Sequence, residues 1–262
     1  LVRWSLVDYR PSGPDYGRYN LHDLVRLFAL SRQSDSASQE IYQRHAEYYK
    51  IQLSVANDLY QKGGTSIQTG LALFDKEKAN ILAGQAWAEK NLETNSFAAE
   101  LCKSYLVAGS FVLDLRLPPR QKVARLEKAL IAARLSKDLP IESVLLGNLG
   151  KTYMDLGQSR KAIEFCVQAL KIAEDIGDKK EEEHHLGALG RAYIHLGQLN
   201  KAIELLERAL EISCEIGDRR GEGDHLSNLS VAYSAKNKLR EAFKLCEQAL
   251  KISREIGDRR LE

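Results

Sequence analysis

Little in this sequence announces chemistry. No apolar run approaches the ~20 residues that cross a bilayer, and no basic-then-apolar leader follows Leu1, so a membrane protein is excluded and a cytoplasmic one expected. Cys102, Cys166, Cys214 and Cys246 show no CxxC or other ligand spacing, which excludes a thiolate metal centre. Cys166 and Cys246 share one repeat position, filled by Leu206 between them, and are expected to be small, reduced core residues. A net charge of +2 leaves no general electrostatic claim on nucleic acid or anionic lipid.

Catalytic groups are missing as well. No Ser/His/Asp or Cys/His constellation stands out, and His184, His185 and His225 lack a third partner to complete a metal set. They are expected to be solvated or groove-lining imidazoles. Gly147-Asn148-Leu149-Gly150-Lys151-Thr152 imitates a phosphate loop, but Leu145 stands where its first glycine belongs and the pattern falls in mid-helix. No enzyme is expected within these residues.

What is present is repetition, over 141–260. Leu146, Leu186 and Leu226 lie 40 apart (186−146, 226−186), as do Leu149/Leu189/Leu229, Tyr153/Tyr193/Tyr233, Ala162/Ala202/Ala242, Ala169/Ala209/Ala249 and Gly177/Gly217/Gly257. A period of this length means a solenoid. Apolar residues recur at helical spacing twice per unit, so each unit (141–180, 181–220, 221–260) is a helical hairpin. Gly157, Gly197 and Asn237 stand where the first helix must end, since glycine and asparagine accept the left-handed cap. Asp178 and Glu181 suggest a capping box, missing after Asp218, where Gly221 stands. The phase extends back to 101–140, a degenerate repeat with Pro118 and Pro119 near the start of its second helix. One hairpin could not stand alone: its few large apolar side chains contribute ~1.5–3 kcal/mol each against ~1 kcal/mol or more per ordered residue.

Leu146-x-x-Leu149-Gly150-x-x-Tyr153, followed by Ala162 and Ala169, resembles the tetratricopeptide repeat, in the longer form seen in kinesin light chains and bacterial signalling proteins. The resemblance implies an all-α superhelical solenoid of antiparallel helix pairs, whose first helices line a concave groove for a protein or peptide. By the family's groove positions, Asn148, Lys151, Arg191, His195, Asn228 and Val231 would face that ligand. Lys151 and Arg191 would favour a carboxylate and the asparagines a peptide backbone.

Residues 1–35 read differently. Leu6–Tyr9 and Arg18–Leu21 are strand-like runs flanking a Pro- and Gly-rich turn, and Leu24, Leu27 and Phe28 then follow at helical spacing. Leu21-His22-Asp23 resembles the motif at the end of the winged helix in STAND-class NB-ARC ATPases, where the histidine approaches the β-phosphate of ADP. The resemblance implies that 1–35 closes a winged helix and 36–100 is a helical linker; the residues themselves put Ile41, His45, Tyr48 and Leu59 on the inner face of one long helix that Gly63-Gly64 breaks. By the same resemblance 101–140 and 141–262 form the sensor. ADP or ATP with Mg would be held by a missing ATPase half that is itself a partner, with His22 the one cofactor-binding residue here and oligomerisation following activation. The chain opens in mid-pattern and stops past the third Gly-Asp pair, so a fragment is expected. A peptide scaffold without nucleotide coupling and a winged-helix transcriptional regulator are the other readings.

Overall fold

In the computed structural model, residues 7–11, 17–21 and 35–257 are described. The chain divides into two compact units, residues 1–45 and 46–262. In the first, β1 (Val7–Pro11) and β2 (Gly17–Leu21) pair antiparallel, with Val7 opposite Leu21 and Pro11 opposite Gly17. A lone two-stranded ladder is not a winged helix, and that expectation gains nothing from it. His22 and Asp23 lie outside the described residues.

Everything else described is helical. Helix α1 (Asp35–Gln61) is followed by α2 (Ser66–Asn91), α3 (Ser96–Ala108), α4 (Ser110–Arg116) and α5 (Pro119–Leu135). Helix α1 stops at Gly63 and Gly64, both at positive φ, as its glycine pair foretells. Its inward face differs from the expected one. Ala46, Leu53 and Ala56 are buried, whereas Ile41 and Tyr48 are exposed. Small residues govern this contact: a Cβ on Gly70 would come within 2.5 Å of the Ala56 carbonyl oxygen, and one on Gly84 within 2.9 Å of the Ala46 Cα. The helices therefore approach through backbone, and the larger side chains are left outside. The Tyr105 hydroxyl closes the joint by donating to the Ala46 carbonyl at 2.6 Å.

Three hairpins of near-identical length follow: α6 (Leu139–Asp155) with α7 (Ser159–Ile176), α8 (Lys179–His195) with α9 (Leu199–Ile216), and α10 (Arg219–Ala235) with α11 (Leu239–Ile256). Each helix packs on the next, and consecutive first helices α6, α8 and α10 also touch. Gly157, Gly197 and Asn237 adopt positive φ between the helices of a hairpin. Gly177, Gly217 and Gly257 do so after each second helix, with Lys137 taking the equivalent place in the degenerate repeat. Asp138, Asp178 and Asp218 each accept the backbone N–H three residues on. The capping box is one-sided, because the Asp178 N–H bonds the Ala173 carbonyl.

Inside, the repeat positions do the same work three times. Leu149, Leu189 and Leu229 are buried, as are Ala162, Ala202 and Ala242. The tyrosines share one environment, with Lys161 over Tyr153, Lys201 over Tyr193 and Lys238 over Tyr233 at 4.4–5.7 Å from the ring centroids. The third lysine comes from the opposite end of its turn because Glu241 stands where Lys161 and Lys201 stand. Cys166 is buried, and burial pushes its thiol up to about 11. Cys246, expected to match it, is exposed, because it lies on α11, on whose outward face no described helix stacks; Phe243 is bare there too. Among the described residues no single helix is long and apolar enough to cross a membrane.

Candidate functional site: the first-helix stripe and the seams behind it

Each first helix carries four positions at alternating spacings of four and three, which place them on one side of a helix. They are Val144, Asn148, Lys151 and Asp155 on α6, then His184, Ala188, Arg191 and His195 on α8, then Asp224, Asn228, Val231 and Ala235 on α10. None of the twelve is buried. All six residues assigned to the groove by resemblance lie on this stripe, so packing leaves them free to meet a ligand.

They are not equally available. Lys151 is already paired with Asp114 on α4, which also accepts from Lys122 at 2.6 Å. Its charge is largely answered within the chain. Arg191 makes no hydrogen bond or ion pair among the described residues, and stands exposed on the middle first helix with the amides of Asn148 and Asn228 on the helices to either side. Val231 is half exposed and offers apolar surface. The stripe thus offers one unspent guanidinium, with Lys151 and Val231 at its own register on the adjacent first helices and the two amides about one helical turn before them. The imitation phosphate loop lies wholly within α6, where Gly147 and Gly150 serve close packing.

Directly behind the stripe lie polar seams that the sequence reading missed. His185 and His225 are not groove-lining; they are 3% and 5% exposed. Each ring lies on a glycine of the preceding first helix, since a Cβ on Gly147 would meet His185 Cε1 at 2.5 Å and one on Gly187 would meet His225 Cε1 at 2.5 Å. The paired spacing of 38 (185−147, 225−187) was the available signal. His185 Nε2 is 2.9 Å from Ser143 Oγ, which itself donates to the Ala169 carbonyl, and 3.6 Å from Glu181. Burial, reinforced by the neighbouring His184, pulls the His185 imidazole down to about 4, with Asp178 opposing. The neutral ring is the form this seam accepts. Burial likewise raises the Glu181 carboxyl.

The second seam holds a charge. Glu183, 2% exposed, bonds His225 Nε2 through Oε1, which also accepts from Ser213 Oγ at 3.3 Å. Among the described residues its Oε2 and His225 Nδ1 have no hydrogen-bond partner. Gly221 explains itself here, because a Cβ would fall 2.6 Å from Glu183 Oε1. The incomplete capping box makes room for the carboxylate. Glu142, Glu182 and Glu222 clasp the outer edge of successive hairpins, accepting from Arg134, from Lys179 and Arg208, and from Arg219.

The family assignment rests on sequence and fold together: the tetratricopeptide repeat family matches over residues 141–215 and 181–255. Residues 141–255 are tetratricopeptide repeats. No curated protein matches the sequence. Nearly identical tetratricopeptide-like repeats of a Podosopora anserina kinesin light chain superpose on the array with a TM-score of 0.56 at 20% identity, covering 81% of this chain and 98% of that one. Bacillus thuringiensis PlcR, solved with the peptide PapR7 and DNA, gives 0.53 at 15% identity over 89% of this chain and 76% of that one. A Pyrococcus horikoshii STAND protein with a tetratricopeptide repeat sensor gives 0.49 at 20% identity over 97% and 51%, too loose to carry an argument. These likenesses establish the tetratricopeptide solenoid and nothing finer.

Proposed function

We propose that this chain is the partner-sensing part of a STAND-class NB-ARC signalling ATPase, holding a protein or peptide against the first-helix stripe of its tetratricopeptide array. The observation that carries the binding half is Arg191, an exposed guanidinium with no ion pair among the described residues, with asparagine amides that can hold an extended backbone about one helical turn away on the adjacent first helices. An acidic side chain or a terminal carboxylate is the ligand group that fits it. Val231 adds apolar contact, and His195 and Lys151 edge the same stripe. Arg191→Glu is expected to weaken binding of a labelled hexaglutamate peptide at least roughly tenfold at low salt. Equal affinity by fluorescence anisotropy would remove the stripe from consideration.

The nucleotide half rests on Leu21-His22-Asp23 preceding the array. In this reading His22 helps hold the resting state, with ADP and Mg bound by an ATPase half upstream, and partner binding releases that state for assembly. In the intact protein, His22→Ala is expected to speed ADP release and raise basal activity. Unchanged ADP retention would argue for a second reading: a peptide-binding scaffold without nucleotide coupling, supported by the likeness to kinesin light chain repeats. A regulator of PlcR type, binding DNA, is the third.

A further inference from the structure

The stripe and the second seam meet at neighbouring residues. His184 belongs to the exposed stripe, with its side chain 63% exposed, while the next side chain, Glu183, is buried between the second and third repeats. His184 Nδ1 lies 3.5 Å from Glu183 Oε2, the carboxylate oxygen that has no hydrogen bond, and the other oxygen holds His225 of the third repeat.

We infer that His184, Glu183 and His225 form a relay through which an anionic ligand on the stripe loosens the joint between the second and third repeats. This deepens the groove reading and rests on it. A buried carboxylate is tolerated in proportion to the donors and positive charge around it. Among the described residues Glu183 has the Ser213 hydroxyl, the His225 ring and, from the solvent side, His184. A ligand carboxylate that engages His184 draws the imidazole away from Oε2 and sets a second negative charge beside the first.

The element that would respond is built to yield. Helix α10 starts with Gly221 and Gly223 in its first turns, and glycine is among the poorest helix formers. Asp218 caps the N–H of Gly221 itself, and Gly221 is the residue against which Glu183 Oε1 lies. The first seam has no such relay. Ser143 is a neutral hydroxyl, its stripe neighbour is Val144, and helix α8, which carries His185 as α10 carries His225, has no glycine before Gly187. Two seams of one repeat type are thus made differently, and the charged one backs onto an exposed histidine.

The test is amide hydrogen exchange on the 262-residue chain, read at residues 221–225. His184→Asp is a surface substitution that places a carboxylate where the ligand's would come. It is expected to speed exchange there roughly fivefold, to leave α6, the first helix of the preceding repeat, unchanged, and to lose its effect in a Glu183→Gln background. Unchanged exchange at 221–225, or the same acceleration with Gln at 183, overturns the relay. Hexaglutamate peptide added to the unmodified chain is expected to act as His184→Asp does. A peptide that fails to bind counts against the groove reading alone, since the substitution still decides the relay. A peptide that binds, by anisotropy, without altering exchange at 221–225 overturns the relay and leaves the groove.

Discussion

His225→Leu is expected to destabilise the array by about 3–5 kcal/mol, because it strands a carboxylate in the interior. Glu183 is almost fully buried and its hydrogen bonds come from Ser213 and His225. With the imidazole gone, one hydroxyl remains to answer a full negative charge, and its single proton is shared with the Ala209 carbonyl at 2.9 Å. The loss should not reflect volume, since leucine nearly matches histidine in size and fills the equivalent place in the first repeat, at Leu145. Glu183→Leu combined with His225→Leu is therefore expected to regain most of the stability, as apolar replacements of buried ion pairs commonly do. Urea midpoints of the single and double variants measure both. A double variant no more stable than His225→Leu alone would show that the pair is not what holds this seam.

Acid is expected to weaken the first seam through His185. The folded protein holds this imidazole at about 4 against an ordinary 6.5, so between those values the unfolded chain takes a proton that the folded one refuses. The stabilisation is complete above about pH 6.5 and drains away as the pH falls towards 4. The whole gap is worth about 3 kcal/mol, of which about 2 kcal/mol falls between pH 7 and pH 5. Glu181, raised by burial, works in the opposite sense above its ordinary 4.5 and trims the net slope. Comparing pH 7 with pH 5, the unmodified chain should lose about 2 kcal/mol more than His185→Leu in urea unfolding. Parallel pH profiles would contradict the burial of a neutral ring.

The errors in reading the sequence share one cause. Helical spacing identifies a stripe of apolar residues but cannot say which stripe a neighbour covers. In α1 the large residues Ile41 and Tyr48 mark one side, and the glycines of α2 draw the chain onto the side of Ala46 and Ala56. Cys246 sits at a true core position of its repeat, yet only a following hairpin would bury it. Histidines look like surface residues by type. Their burial depends on a glycine 38 residues earlier, a relation visible only as pairs of positions. The exposure of the stripe residues was legible in the sequence, because exposure on a first helix follows directly from the repeat phase.

Taken alone, the sequence determined the hairpin, its period of 40 and its left-handed caps, since each depends on residues within a few helical turns of one another. The tertiary structure decided which stripe cation is left unspent, because Asp114 reaches Lys151 from another helix and no described carboxylate pairs with Arg191. It also decided that two histidines are interior groups and that Gly221 exists to admit a carboxylate. These facts are set by side chains meeting across 30–40 residues of chain, and local propensity carries no term for such meetings.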